Sequence, residues 1–458
     1  MPATGADSPR DAPLDYRRLV RELFPRLTGG IRWGLDRTER MLADAGDPQR
    51  SYPVIHVGGT NGKGTVCAVA ESVLRAAGLR TGLYTSPHLT SFRERVRIDG
   101  VPISEGALLE SANRLWPSIE REAPSFFEAT TAIAFDAFAR AGVDVAVVEV
   151  GLGGRLDATN VVAPDVAVVT HISVDHVDFL GSDPAGIARE KAGIAKAGAP
   201  FLTAEPDDAL FGVLAGTAGA AGASVRRMME RPQIVDHDVA GTRFRADTAW
   251  GPIDARLPLA GAHQATNALL AVRALELSRV RDEIDADAVR RGIEATRWPG
   301  RFQVERVGAA TWIFDVAHNP AAIERLCATL RDVGPSEPVT LRLGVMGDKD
   351  WSAMLRGLGS VAERLVLTRP AHAPAGRAWD PRAAAGAAAA LGIDTRLVEE
   401  LAAAVRGLRE EARGTVVVTG SFHTVGEALE ALGIDLGWPA DPSFDDAVDG
   451  AADPALQR

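Results

Sequence analysis

Apolar runs that suit β-strands alternate with helix-compatible stretches along most of the chain. Strands are expected at residues 53–57, 80–84, 143–150, 166–172, 312–316, 339–345, 365–368 and 415–419. Helices are expected at residues 65–77 and 184–195. Alternation of this kind is typical of α/β domains built on parallel sheets.

Two interruptions divide this pattern. Residues 225–259 change to short polar-apolar alternations with turn residues, which predicts an antiparallel ribbon added to the first sheet. The segment Arg297-Trp298-Pro299-Gly300-Arg301 stands just before a new series of strands and helices, so we place a domain boundary near residue 298. The expected organisation is a disordered N-terminus at 1–13, a first domain at 14–297, a second at 298–438 and a flexible acidic tail at 439–458.

Composition limits the classes of protein that remain. With 458 residues and 46% apolar side chains, the chain can bury more than one core. Its 50 Lys and Arg against 61 Asp and Glu argue against a broad nucleic-acid or anionic-membrane surface, so anionic ligands must be held locally. No apolar run reaches the roughly 18 to 20 residues that a membrane span needs. Two cysteines, Cys67 and Cys327, cannot form a disulfide framework, and we expect a cytoplasmic protein.

A glycine-rich loop at residues 56–65 is the strongest chemical signal. It reads His-Val-Gly-Gly-Thr-Asn-Gly-Lys-Gly-Thr and lies between a predicted strand and a predicted helix. Glycines let the main chain wrap around phosphate oxygens at a helix N-terminus, Lys63 can neutralise phosphate charge, and Thr65 offers a hydroxyl to Mg2+. The loop departs from the ordinary P-loop pattern at Val57 and Gly64. We interpret it as an ATP-binding loop; a plain glycine-rich turn is the alternative.

Further polar residues follow other predicted strands at the same sheet edge. Ser86 comes after the second strand, Glu149 ends the third, and His176 follows the fourth. A carboxylate at a strand end beside a nucleotide loop suits Mg2+, although an ion pair with Arg155 would also explain Glu149. A capping or packing role is the alternative for His176, and a solvated charge is the alternative for Lys191.

The second half repeats this arrangement. Asp315 and His318 occupy a strand-to-helix turn and could contact a nucleotide or orient an acceptor, and residues 348–350 and 420–424 close later strands. Several loops of the second domain are therefore expected to share one sheet edge.

Taken together, these motifs resemble the folylpolyglutamate synthase and dihydrofolate synthase family of Mur-ligase-like ATP-dependent amide ligases. The segments that carry the resemblance are GGTNGKGT, TSPHL, FFEATTAIAF, EVGLGGRLDATN, DHVDFLG with EKAGI, GAHQATNA, PGRF, DVAHNP, GDKD and GSFHTVGE, in family order over residues 30 to 430. The resemblance implies an N-terminal P-loop ATPase domain with a parallel sheet and a small antiparallel ribbon. It also implies a C-terminal Rossmann-like domain that receives glutamate.

The resemblance also implies roles for individual residues. ATP and Mg2+ would be the co-substrate and metal, and the acceptor carboxylate would be activated as an acyl phosphate. Lys191 matches the family's carbamylated lysine, and His318 is a further catalytic candidate. The metal ligands would be Thr65, Ser86, Glu149 and His176. The ATP contacts would be Gly59, Thr60, Asn61, Gly62, Lys63, Gly64, Thr65, Gln264 or Asn267, Arg301 and Asp315. The pterin or folate contacts would be Ile31, Arg32, Trp33, Gly34, Phe126, Phe127, Glu128, Leu156, Asp157 and Ala158.

The function expected from this resemblance is that of a bifunctional ligase. It would join L-glutamate to dihydropteroate and then extend reduced folates, acting as a monomer on small molecules. The alternatives are a monofunctional folylpolyglutamate synthase, another Mur-type amino-acid ligase, and a regulatory P-loop ATPase without ligase chemistry. The TSPHL and LDATN segments argue against a cell-wall ligase, and the last alternative leaves the second domain's motifs unexplained.

Overall fold

The computed structural model describes residues 14–27, 33–371 and 379–438. The predicted N-terminal segment 1–13 and acidic tail 439–458 lie outside these ranges. The described α-helices are α1 Tyr16–Leu23, α2 Asp36–Asp44, α3 Lys63–Ala76, α4 Glu105–Glu122, α5 Phe126–Ala141, α6 Val177–Leu180, α7 Pro184–Ala192, α8 Asp208–Ala220, α9 Ala262–Leu277, α10 Ala286–Glu294, α11 Pro320–Val333, α12 Trp351–Leu358, α13 Pro381–Ala390, α14 Leu401–Glu411 and α15 Phe422–Leu432.

The strands form three sheets. The first eight strands are β1 Val54–Gly58, β2 Thr81–Tyr84, β3 Val96–Ile98, β4 Val101–Pro102, β5 Val145–Glu149, β6 Val166–Val169, β7 Pro200–Thr203 and β8 Ser224–Arg227. The remaining strands are β9 Gln233–Asp238, β10 Gly241–Thr248, β11 Gly251–Leu257, β12 Gln303–Val307, β13 Ala310–Asp315, β14 Val339–Leu343, β15 Arg364–Arg369, β16 Asp394–Glu400 and β17 Thr415–Thr419.

The first sheet has the strand order β4-β3-β2-β5-β1-β6-β7-β8. Strands β2, β5, β1, β6, β7 and β8 are parallel to one another, whereas β3 pairs antiparallel with both β2 and β4 at one edge. Every residue of β1 and β5 is buried, as a central parallel strand covered on both faces requires. Helices α3, α9 and α10 contribute to the core on one face, and α1, α2, α4 and α5 to a core on the other.

The antiparallel ribbon is a separate sheet, so the prediction that it extends the first sheet was wrong. Strands β9, β10 and β11 pair only with each other in the order β11-β10-β9, whereas β8, at the start of the ribbon segment, joins the first sheet. Phe244, Ile253 and Leu257 are buried in the core that contains α3, α9 and α10. The ribbon therefore packs on this helical layer, because its alternating apolar residues form one face that the helices cover.

The second large sheet has the order β12-β13-β17-β14-β15-β16 and is parallel except for β12. One face packs against α11, α12 and α13, and the other against α14 and α15. The predicted α/β fold class is confirmed. Each predicted strand is present with its ends moved by a few residues. In the described part of the chain, no helix is long and apolar enough to cross a membrane.

Arg342 is an anomaly within this second sheet. It is fully buried in β14 between Val366 and Val418, and none of its guanidinium nitrogens has a hydrogen-bond partner among the described residues. Burial, with a contribution from Arg396, lowers the pKa of Arg342 to about 9. The side chain therefore carries a desolvation cost that no partner offsets.

We expect Arg342→Met to stabilise the protein. Methionine keeps most of the volume and removes the buried charge, so the free energy of unfolding should rise by about 1 to 3 kcal/mol. Denaturant unfolding measures this change. Arg396→Met is the matched control, because Arg396 lies in the same row of the sheet but is exposed. A destabilised Arg342→Met protein would contradict this interpretation.

Candidate active site

The glycine-rich loop joins β1 to α3 and closes tightly against the neighbouring strand. Gly59 has φ +129°, and a Cβ built there would lie 1.9 Å from Thr170 Oγ1, so no larger residue fits. Gly62 has φ 90° and precedes the first residue of α3. The loop thus presents main-chain amides at the N-terminus of a 14-residue helix, which is a favourable position for phosphate.

The ammonium of Lys63 lies at the centre of the loop. Its Nζ donates to the carbonyl oxygens of Gly59 at 3.2 Å and Thr60 at 3.1 Å. Its charge also acts on the pKa values of Glu149, His176 and Lys191. Lys191 donates to the same Gly59 carbonyl oxygen, and Glu149 lies opposite Val57 at the end of β1, so both residues lie beside the loop.

Glu149 is a buried carboxylate with little compensation. Its side chain accepts a hydrogen bond from the backbone N–H of Ser86 at 3.0 Å. Burial raises the pKa of Glu149, and the nearby Lys63 ammonium opposes this effect. The alternative ion pair with Arg155 is excluded, because Arg155 pairs with Glu190 at 2.9 Å. A buried carboxylate of this kind suits a divalent cation.

His176 follows β6 at the same edge of the sheet. It adopts a left-handed conformation with φ 53° and precedes α6, but its side chain makes no capping hydrogen bond. The capping alternative is therefore unsupported. Burial lowers the pKa of His176 to about 3, so the imidazole is neutral and able to act as a ligand.

Lys191 is buried, which contradicts the alternative of a solvated charge. Only 6% of the residue is exposed, and Nζ donates to the carbonyl oxygen of Gly59 at 2.8 Å. Burial is the main cause that lowers the pKa of Lys191 to about 7, and repulsion from the Lys63 ammonium adds to it. A large share of this side chain is therefore the neutral, nucleophilic amine at neutral pH.

Two further predicted nucleotide contacts lie beside the second sheet, Arg301 just before β12 and Asp315 at the end of β13. Arg301 lies over the Phe422 ring at 5.0 Å, and burial lowers its pKa. Asp315 accepts hydrogen bonds from the backbone N–H groups of Phe302 and Ala317, both at 2.9 Å. Burial raises the pKa of Asp315, and Arg301 opposes this shift.

Helix α9 supplies two further predicted nucleotide contacts. A Cβ built at Gly62 would lie 2.8 Å from Asn267 Oδ1, so this amide lies directly over the loop. Asn267 Nδ2 donates to Gln264 Oε1 at 3.3 Å. Gly64 is packed closely against the indole of Trp298.

A polar cluster between the two large sheets contains the catalytic candidate His318 and three residues that were not assigned from the sequence, Asp175, Asn319 and Lys349. Asp175 pairs with Lys349 at 2.6 Å and accepts a hydrogen bond from Asn319 Nδ2 at 2.9 Å. His318 Nε2 lies 3.6 Å from the same carboxylate, while its Nδ1 lies 2.9 Å from the carbonyl oxygen of Val316. Each residue lies in or beside a motif noted above, so the motif positions were the available signal.

The predicted pterin residues fall into two groups. Phe126 is buried, and Phe127 lies 6.0 Å from the Tyr84 ring and contacts Gly151 closely. The Trp33 side chain is exposed, and Gly34 has φ 128°. Ile31 and Arg32 lie outside the described residues.

Two carboxylates in this region are already engaged by the protein. Glu128 pairs with Arg37 at 2.8 Å and caps its own helix together with Ser125. Asp157 accepts hydrogen bonds from the backbone N–H groups of Leu152 at 2.8 Å and Thr159 at 3.0 Å, and burial raises its pKa. Glu128 thus fixes the start of α5, and Asp157 fixes its loop, on which Leu156 and Ala158 flank it.

The expected metal ligands form a hydroxyl-rich set. Thr65 is buried in the first turn of α3, and Ser86 and Glu149 are joined by the hydrogen bond described above. Within residues 14–27, 33–371 and 379–438, no group of three or more His, Cys, Asp or Glu side chains is placed to hold a metal. The expected donor set therefore consists of two hydroxyls, one carboxylate and the His176 imidazole, and the oxygen donors suit a hard cation.

Comparisons with known proteins agree with this arrangement. The family model "Mur ligase middle domain" matches residues 57–275, and the model "Mur ligase, glutamate ligase domain" matches residues 300–422. The chain is 39% identical to a dihydrofolate synthase/folylpolyglutamate synthase of Mycobacterium tuberculosis over 445 residues, which covers 88% of this chain and 90% of that relative.

Two similar solved structures contain ligands. E. coli FolC in complex with DHPP and ADP has a TM-score of 0.81 and 36% identity, covering 91% of this chain and 97% of that chain. A bifunctional folylpolyglutamate synthase/dihydrofolate synthase with Mn, AMPPNP and L-glutamate bound has a TM-score of 0.78 and 33% identity, covering 91% of this chain and 98% of that chain.

Proposed function

The chain belongs to the folylpolyglutamate synthase/dihydrofolate synthase family of Mur-type ligases, and on this premise we propose how its residues carry out the reaction. The protein is an ATP-dependent ligase that joins L-glutamate to dihydropteroate and extends reduced folates. ATP and a divalent metal are its co-substrate and cofactor. The observation that best supports the residue assignments is that Lys63 and Lys191 both donate to the carbonyl oxygen of Gly59, while Glu149 lies opposite Val57 at the end of the strand that leads into the loop.

The proposed reaction has two steps. The acceptor carboxylate attacks the terminal phosphorus of ATP, which releases ADP and leaves an acyl phosphate. The glutamate amine then attacks the acyl carbon, phosphate leaves, and the amine loses a proton. Positioning and charge neutralisation dominate the first step, because the transition state spreads negative charge over the transferred group.

The first domain supplies the phosphate site in this proposal. Gly59, Thr60, Asn61, Gly62 and Gly64 line the loop whose amides face the phosphates. Lys63 exchanges its carbonyl partners for phosphate oxygens when ATP binds. Gln264, Asn267, Arg301 and Asp315 are the proposed contacts to the rest of the nucleotide.

A divalent cation would be held by Thr65, Ser86, Glu149 and His176. When bound, it would neutralise phosphate charge beside the loop. We further infer that Lys191 is carbamylated, because its buried amine is partly neutral near pH 7 and therefore reacts with carbon dioxide. The carbamate would replace an ammonium with a carboxylate-like group next to the cation, and His318 is a candidate for assisting the amine.

The acceptor is proposed to lie along the apolar surface of Phe126 and Phe127, beside the loop of Leu156 to Ala158. In this arrangement, Glu128 acts mainly by holding the start of α5 in place, and Asp157 by holding its loop. We also infer a domain boundary near residue 298 and a monomer that acts in the cytoplasm on small molecules. The net charge of -11 supports the absence of a nucleic-acid partner.

Product formation with two acceptors tests the bifunctional assignment. ATP, Mg2+ and L-glutamate are supplied with dihydropteroate in one reaction and tetrahydrofolate in the other. We expect phosphate release and a glutamylated product in both. Turnover with tetrahydrofolate alone would leave a monofunctional synthase. No turnover with either acceptor, or phosphate release that does not depend on glutamate, would refute the folate assignment.

A further inference from the structure

A buried carboxylate of the first domain contacts the second domain at the active-site edge. Asp175 follows β6, whereas Lys349 follows β14 in the other large sheet. Lys349 Nζ lies 2.6 Å from Asp175 Oδ1, and the two side chains are only 7% and 8% exposed. Both charges lose their hydration where the sheets meet, so each depends on the other for compensation.

Asn319 extends this contact to the phosphate-binding loop. Its Nδ2 donates to Asp175 Oδ2 at 2.9 Å and to Asn61 Oδ1 at 3.1 Å. Its Oδ1 accepts hydrogen bonds from Asn61 Nδ2 at 3.3 Å and from the backbone N–H of Ala322 at 2.9 Å. The second of these bonds makes Asn319 the N-cap of α11. The start of α11 is thereby fixed to two loops of the first domain.

The same carboxylate shapes the turn that carries a proposed metal ligand. Asp175 Oδ1 accepts a hydrogen bond from the backbone N–H of His176 at 2.8 Å. His176 itself has φ 53°, in the left-handed region. A left-handed conformation is costly for a non-glycine residue, so local hydrogen bonds are needed to maintain it. One oxygen of Asp175 therefore contacts both Lys349 and the His176 backbone.

We propose that Asp175 is a positioning residue that couples docking of the second domain to the phosphoryl-transfer site. Docking brings Lys349 and Asn319 to Asp175, which completes the turn that carries His176. Phosphoryl transfer to the acceptor is then efficient only when the domain that supplies glutamate is in place, and the acyl phosphate is protected from water. This inference rests on the proposed function and adds a coupling role that the reaction itself does not require.

Steady-state kinetics of Asp175→Asn test the proposal. The amide keeps the size of the side chain but leaves the Lys349 ammonium without its counter-charge. We expect the KM for glutamate to rise at least about tenfold. We also expect ADP release to exceed amide formation, while the affinity for AMPPNP changes less than about twofold because the loop amides remain. Asp178→Asn, an exposed carboxylate three residues away, should match the wild type in all three measurements.

A double-mutant cycle with Lys349→Met separates coupling from a general structural defect. The two single variants should show the same loss of coupling, and the double variant should be no worse than either one. Additive losses, unchanged coupling in both single variants, or an equal defect in Asp178→Asn would overturn the proposal. If Asp175→Asn does not fold, the ratio of ADP to amide in Lys349→Met decides the question. The wild-type ratio is measured first, so an inactive wild type would count against the proposed function and not against the coupling.

Discussion

Lys191→Ala is expected to lower kcat by about 10²- to 10³-fold while the affinity for ATP is retained. The size of this effect is that of removing one well-placed charged group from a phosphoryl-transfer site. Binding should survive because the loop amides and Lys63 hold the nucleotide, whereas Lys191 contacts the loop through a hydrogen bond to the carbonyl oxygen of Gly59 and not through the amides. Single-turnover kinetics and AMPPNP titration measure the two quantities separately.

The chemical state of Lys191 gives this prediction a second readout. With a pKa of about 7, near half of the side chain is the neutral amine at pH 7. Carbamylation requires that form, so it should increase as the pH rises through 7 and decrease when dissolved carbon dioxide is removed. Short carboxylates such as formate should partly restore Lys191→Ala by entering the space left by the side chain.

Arg189→Ala is the matched control for Lys191→Ala. Arg189 lies on the same helix, and its side chain is 61% exposed. The Arg189→Ala variant should keep wild-type activity. Full activity of Lys191→Ala, or an equal loss in Arg189→Ala, would remove the carbamate from the mechanism.

The central strands were predicted well from the sequence, because helices cover both faces of each large sheet and these strands are therefore continuous apolar runs. Residues 415–419, all buried, form β17 as predicted. Strands β3, β4, β7, β12 and β16 were missed, since short or polar segments such as Gln303–Val307 lack this signal. The ribbon was recognised by its alternation, but alternation shows only that one face is buried and not which layer covers it.

The site shows the same division between local and distant information. Loop motifs identified Lys63, Glu149 and Lys191 because each stands at the end of a strand or on the following helix. The Asp175–Lys349 contact joins residues 174 positions apart, in loops that follow strands of two different sheets. Neither residue type nor spacing encodes such a contact, so only the folded structure places the pair. The burial that lowers the pKa of Lys191 likewise depends on the packing of α7 beneath the loop.

Glu149→Gln is expected to reduce activity about 10²- to 10³-fold and, without metal, to leave the protein at least as stable as the wild type. Glutamine can still accept the backbone N–H of Ser86, but it lacks the charge that a cation requires. In the wild type, burial raises the pKa of Glu149, and Lys63 offsets part of this shift. The folded protein therefore holds this proton more tightly than the unfolded chain, so stability falls as the pH rises from the unfolded pKa of about 4.5 through the higher folded pKa.

Thermal unfolding at neutral pH, with and without Mn2+ or Mg2+, measures both consequences of Glu149→Gln. The metal should stabilise the wild type by mass action and should stabilise the variant much less, because it binds the folded wild-type site preferentially. Glu190→Gln is the control, since Glu190 is partly exposed and pairs with Arg155 outside the proposed ligand set. If Glu149→Gln gained as much stability from metal as the wild type, Glu149 would not be a ligand. The expected result is that Glu149→Gln is at least as stable as the wild type without metal but gains less stability from metal. Such a result would indicate that the buried charge of Glu149 serves cation binding and lowers the stability of the metal-free protein.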